Sequence, residues 1–101
     1  MDMPHTVTDN RARKRFELDG TGGEAFVDYR RDGDVLTLTY ALVPPHLRGR
    51  GVGAALVDGT LRLVQARGER IVAQCSFVAA YVRSHPEFQG LLATDPPPAP
   101  I

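Results

Sequence analysis

Hydrophobic and polar residues alternate along Arg15-Phe16-Glu17-Leu18, the pattern of a strand with one buried face. Residues 19–23 hold three glycines and read as a turn. Residues 24–30 (Glu-Ala-Phe-Val-Asp-Tyr-Arg) resume the alternation as a second strand, and Asp32-Gly33 is a hairpin signal. Residues 35–43 (Val-Leu-Thr-Leu-Thr-Tyr-Ala-Leu-Val) form the third and longest strand, rich in residues that favour a pleated surface. The period then changes. Val52, Leu56 and Leu63, with Ala55, Gly59 and Ala66, lie on one stripe of a helix over residues 52–67, and Gly68 supplies its stop. Arg70 to Ala73 reads as a short buried strand. Ser76 can cap a second helix running to Ser84, Pro86 interrupts it, and residues 87–93 give one last helical turn or two.

This order places three antiparallel strands before a strand–helix–strand crossover, so the third and fourth strands are expected to be parallel neighbours. Residues 14–93 make one domain. Residues 1–13 are polar and expected to be loosely ordered. Residues 94–101, with Asp-Pro-Pro-Pro-Ala-Pro-Ile, cannot continue a helix and read as a short extended tail rather than a polyproline ligand.

Composition narrows the function classes. The chain has 101 residues, with 12 basic and 12 acidic side chains, so its formal net charge is zero, unlike a dedicated nucleic-acid binder. No apolar run reaches the roughly 18 residues of a membrane span, and residues 1–4 lack a signal-peptide core, so a membrane or exported location is not expected. The lone Cys75 cannot form an internal disulfide and fits a reducing cytoplasm. His5, His46 and His85 are scattered and Cys75 has no CxxC partner, so no metal site is expected.

The densest chemistry lies in Leu47-Arg48-Gly49-Arg50-Gly51-Val52-Gly53, between the third strand and the first helix. A helix start leaves backbone N–H groups unpaired and carries the positive end of the helix dipole, so it attracts phosphate. Glycines let the main chain approach such an anion closely, and arginines add planar cationic donors. The spacing is neither GxxxxGK[ST] nor GxGxxG, and a turn that binds nothing stays open on the loop alone.

Arg48-Gly49-Arg50-Gly51-Val52-Gly53 resembles the Gln/Arg-x-x-Gly-x-Gly/Ala motif of the GNAT superfamily of acyl-CoA-dependent N-acetyltransferases. Arg48, Gly49, Gly51 and Gly53 fall on its defined positions, Arg50 and Val52 on its variable ones. Gln74 to Phe88 is similar to the Cys-x-Phe-Val-x-x-Tyr…His-Pro-Glu-Tyr/Phe signature of a small GNAT-like family of about 100 residues. The resemblance runs from about Phe16 to Leu92. Two departures stand out. Tyr40, Ala41 and Leu42 occupy a His-Thr-Glu run common in those relatives, which removes a strand-borne carboxylate and imidazole; Ala73 stands where they often have Pro.

The resemblance implies a small α/β (α+β) domain of reduced GNAT-like architecture, a mixed and mostly antiparallel sheet with two main helices. The sheet would open between residues 35–43 and Arg70–Ala73. Acetyl-CoA would lie in that splay as cosubstrate, held by Val43, Arg48, Gly49, Arg50, Gly51, Val52, Gly53 and Ala54. The implied reaction is acetyl transfer to an amine, with the acceptor unidentified. An exposed acceptor site points to a protein or peptide amine, in a monomer or weak homodimer. A non-catalytic CoA-binding module is the rival reading.

Two residues carry the implied catalysis. Cys75 lies where the fourth strand yields to a helix, whose dipole favours a thiolate; the family resemblance implies a place near the acetyl group, while a simply packed thiol is the alternative. Tyr81, six residues on, matches the tyrosine that protonates the leaving CoA thiolate in many GNAT enzymes; a core tyrosine with a satisfied hydroxyl is its alternative. His85 reads as a cation at a helix C-terminus, His46 as a solvated loop residue, and Arg62, Arg67 and Arg70 as a solvated face.

Overall fold

A computed structural model describes residues 6–49 and 51–93. Five strands form one sheet in sequence order: β1 (Val7–Asn10), β2 (Arg15–Leu18), β3 (Phe26–Asp32), β4 (Val35–Leu42) and β5 (Arg70–Ala73). The first four are antiparallel, and β5 lies parallel to β4 after a crossover through helix α1 (Val52–Ala66). Helix α2 (Ser76–Ser84) and a 3-10 segment over Pro86–Leu91 follow β5. The mixed, mostly antiparallel sheet with two main helices is the architecture expected above.

One face of the sheet builds the core. Phe16 and Leu18 of β2, Val27 and Tyr29 of β3, Leu36 and Leu38 of β4 and Ile71 of β5 are all buried. They pack against Leu56, Val57, Leu61 and Val64 of α1, Val78 and Val82 of α2, and Phe88 and Leu91 beyond. Burying each large side chain contributes about 1.5–3 kcal/mol, which fixes the register because a slip of one residue would turn this row outward. On the opposite face no side chain of Arg15, Glu17, Phe26, Asp28, Arg30, Val35, Thr37 or Val72 is fully buried. The fold therefore has two layers.

The structure corrects several expectations. Residues 6–10 are not loose: Val7–Asn10 pairs with β2 from Val7↔Leu18 to Asn10↔Arg15. Val7 and Thr8 favour a strand but Asp9 and Asn10 do not, and the order of the segment comes from tertiary partners. The side chain of Asp9 is only 3% exposed, accepts a hydrogen bond from the Tyr29 hydroxyl at 2.6 Å, and pairs with Arg67 at 2.8 Å. Arg67, expected on a solvated face, is thus one side of this clamp. Burial, then the Asp9 carboxylate, raises the Tyr29 hydroxyl above its ordinary pKa. Arg31 joins Asp9 at 3.9 Å and also pairs closely with Glu69 at the start of β5. The cap of α2 is Cys75, not Ser76, and no side chain bonds there. Gly68 ends α1 with φ +68, as its left-handed preference requires. Residues 1–5 of the tail read over 1–13, and the whole tail over 94–101, lie outside the described residues.

Candidate functional site

Strands β4 and β5 are paired for only part of their length. Their register runs from Val35↔Arg70 to Leu38↔Ala73 and stops. The Leu38 carbonyl then accepts from two successive amides, Gln74 at 3.1 Å and Cys75 at 2.8 Å. With its main chain tied there, the chain turns away into α2. Strand β4 continues to Leu42, so its last residues have no strand neighbour on that side among the described residues. The sheet splays at the point the sequence led one to expect.

A bulge shapes this edge. Asp28 pairs with Tyr40 but Tyr29 pairs with Leu38, leaving Thr39 as the extra residue. An extra residue bends a strand and inverts its alternation beyond that point. Leu38 and Ala41 therefore both face the helices, while Tyr40 faces the opposite side, 51% exposed.

At the mouth of the splay, on the helix side, is an open cleft of about 450 Å³. Its lining is Ala41, Val43, Arg48, Gly49, Gly51, Val52, Gly53, Ala54 and Phe77. Val43, Arg48, Gly49, Gly51, Val52, Gly53 and Ala54, predicted from sequence, are thus brought together; Arg50 lies outside the described residues. Gly49 and Gly51 have φ of +83 and +71, which a side-chain-bearing residue adopts only at a cost. Gly51 is the N-cap of α1, its main-chain turn delivering the first amides of the helix to the cleft. Arg48 donates from Nε to the Val43 carbonyl at 2.9 Å, tying the loop to the end of β4.

Gly53 has a different reason to be glycine. A Cβ there would stand 2.9 Å from Cζ of Phe77. The bare helix surface lets the Phe77 ring, 47% exposed, lie against α1 and wall the cleft. Sequence reasoning did not name Phe77 or Ala41 as cleft residues. The available signal for Phe77 was its place four residues before Tyr81, on the same face of α2.

The two residues expected to carry catalysis are placed differently. Cys75 sits at the apex of the splay, half-buried against the core, beside the cleft lining rather than in it. Tyr81 is also outside that lining. Its hydroxyl donates to Asp58 of α1 at 3.0 Å, and burial followed by that carboxylate pushes its pKa up to about 12. Asp58 also accepts from Arg62 at 2.7 Å, and the Tyr81 ring stacks on His85 at 3.8 Å. Tyr81 thus joins α1 to α2 one turn from the Gly53–Phe77 contact. His85 closes α2, with Nδ1 2.8 Å from the Tyr81 carbonyl, and His46 stands 3.3 Å from Glu24. Among the described residues no cluster of His, Cys, Asp or Glu could hold a metal ion, and no helix is long and apolar enough to cross a membrane.

Comparison with known proteins agrees with this geometry. A solution structure of a GCN5-like protein from Staphylococcus aureus superposes with a TM-score of 0.67 over 97% of each chain, at 19% sequence identity, which establishes a common fold. No curated protein sequence matches. The family model for GCN5-related N-acetyltransferases matches residues 15–91, which take in β2 through the 3-10 segment, the glycine loop and the splay. The chain belongs to the GCN5-related N-acetyltransferase family.

Proposed function

We propose that this protein transfers an acetyl group from acetyl-CoA to an amine, with the cofactor bound in the β4–β5 splay. The observation that carries the reading is the coincidence of three features at one place: parted parallel strands, a glycine turn opening a helix, and a cleft joining them. The amides of Gly49, Gly51 and Gly53 and the cation of Arg48 suit the pyrophosphate, Arg50 adding charge from the same loop. Val43, Val52, Ala54 and the Phe77 ring suit the pantetheine arm, which would run along the unpaired edge of β4 towards Cys75.

Transfer then needs no covalent enzyme intermediate. The amine nitrogen attacks the thioester carbonyl carbon, the C–S bond breaks as the N–C bond forms, and CoA leaves as thiolate. The nitrogen loses a proton and the thiolate gains one. The engagement of Tyr81 with Asp58 supports a role in fixing the α1–α2 spacing rather than in protonating the thiolate. A protein or peptide amine is the proposed acceptor, because no further helices among the described residues enclose the site. The lone Cys75 accords with the cytoplasmic setting we propose.

Thermal unfolding with acetyl-CoA, CoA and ATP tests the cofactor. A ligand at 100 times its Kd adds about 2.7 kcal/mol, which raises the midpoint of a domain this size by about 10–20 °C. Such a shift with both CoA species and not with ATP is expected; none at millimolar acetyl-CoA overturns the reading. Retained acetyl transfer in Cys75→Ala would support the direct route.

A further inference from the structure

The sheet face turned away from α1 and α2 packs on no helix among the described residues. Its centre is mixed in sign. Phe26, Asp28 and Arg30 of β3 all lie on this side, alternating with buried Val27 and Tyr29. Their strand neighbours there are Arg15 and Glu17 of β2 and Thr37, Tyr40 and Leu42 of β4. Arg15 bonds Glu17 at 2.7 Å, and its guanidinium lies 4.4 Å over the Phe26 ring, so that pair is satisfied within the chain. Asp28 and Arg30 are not. Neither has an ion pair among the described residues, and Arg30 reaches the Gln74 amide oxygen at 3.5 Å. The Tyr40 ring, 6.3 Å from that of Phe26, is 51% exposed.

Opposite charges two residues apart on one strand face stand about 7 Å from each other along the strand. Such a pair fits no ligand of a single sign, because whatever attracts one charge repels the other. It does fit itself. A two-fold axis lying in the plane of contact and crossing β3 at Tyr29 sets Asp28 of each copy over Arg30 of the other, and symmetry forms the pair on both sides of the axis. Two sheets stacked in this way take the exposed Tyr40 and half-buried Phe26 rings out of water, next to the ion pairs. The formal net charge of zero leaves no long-range repulsion between copies.

We infer that this face is an interface with a second copy of the chain, two sheets stacked about a two-fold axis with Asp28 of each copy paired to Arg30 of the other. Its size sets its strength. Five strands about 4.8 Å apart, the longer ones spanning about 23 Å, offer about 500 Å² per copy, close to the lower bound of a specific contact. The dimer is therefore weak and reversible. The cleft opens on the helix side of the sheet, so both copies keep it free. The inference stands apart from the acetyltransferase reading.

The test is sedimentation velocity of the full chain from about 10 μM to about 1 mM, the range in which a weak dimer forms. A concentration-dependent passage from monomer to dimer is expected. Asp28→Arg and Arg30→Asp each set like charges across the axis and should raise the dissociation constant at least tenfold, while their amide NMR spectra stay those of the folded protein. Mixed in equal amounts, these two variants should associate with each other at least as tightly as the parent does with itself. One brings two cations to the contact and the other two carboxylates. Both changes in a single chain should likewise restore the dimer. A parent that stays monomeric to 1 mM leaves the face to another occupant and overturns the inference. A dimer that ignores both single changes, or one that the mixture fails to recover, places the contact elsewhere and overturns it equally.

Discussion

The two ends of this sheet are built by opposite rules. At one end the C-terminus of α1, the end of β3 and the starts of β4 and β5 converge on charged clamps. Asp9 gathers Tyr29, Arg67 and Arg31, and Arg31 reaches on to Glu69. At the other end β4 and β5 part, the loop runs through left-handed glycines, and Phe77 and Tyr40 stay in solvent. A cleft between strands exposes main-chain groups that a closed sheet would pair, so its shape must be set by something else. Here it is set by the core and by the closed end, which hold β4 and β5 together up to Leu38. The proposed cofactor cleft sits where pairing stops, on a scaffold made rigid elsewhere.

Variants of the two ends should separate stability from cofactor binding. The largest effect is expected from Phe16→Ala in the core they share, which should lose about 3–5 kcal/mol and lower the unfolding midpoint for both ends alike. Asp9→Asn at the closed end should lose about 2–3 kcal/mol in urea unfolding, since it weakens charged hydrogen bonds to Arg67 and Tyr29. Its acetyl-CoA affinity, measured below the midpoint, should be unchanged; a matching loss of affinity would show that the ends are not separable. Gly51→Val at the open end should cost about 1–2 kcal/mol, because its φ of +71 is strained for a branched side chain. It should also abolish the acetyl-CoA midpoint shift.

Smaller effects sharpen the contrast. Gly53→Ala displaces the far end of the Phe77 ring, so stability should fall by less than about 1 kcal/mol while acetyl-CoA binding weakens about tenfold, as read by calorimetry. Tyr81→Phe removes one hydrogen bond to Asp58, at about 1 kcal/mol below pH 10. The Tyr81 pKa is raised from 10.0 to about 12 in the folded state, so its contribution is complete below pH 10 and is lost as pH rises through 12. Urea unfolding across that window should decline less in Tyr81→Phe than in the parent, the raised Tyr29 accounting for part of the remaining decline. An unchanged alkaline decline would show that Tyr81 is not engaged.

The contrast between the ends also explains what was legible in advance. The glycine loop, the strand before it and the helix after it are contiguous, so their chemistry is written in residues 35–67. Arg70–Ala73 and Ser76–Ser84 were readable for the same reason: a short apolar run and a helical stretch with a clear break at Pro86. Asp9 was missed because Val7-Thr8-Asp9-Asn10 lacks a strand-forming pattern; its order is supplied by Arg67, 58 residues away. Phe77 was passed over as a wall because its partner, Gly53, is on another helix. The bulge at Thr39 could not be foreseen, since alternation through 35–43 reads smoothly until pairing with β3 shows one residue too many.

By itself the sequence determined the strand and helix order, the crossover that makes β4 and β5 parallel, and a glycine turn opening the first helix. Those depend on periodicity, turn chemistry and local backbone freedom, all properties of neighbouring residues. The tertiary structure alone decided which way Tyr40 and Ala41 face, where β5 leaves β4, that Tyr81 turns to Asp58, and that β1 is clamped at all. Each depends on a contact between distant segments, whose energy exists only once the chain has closed on itself.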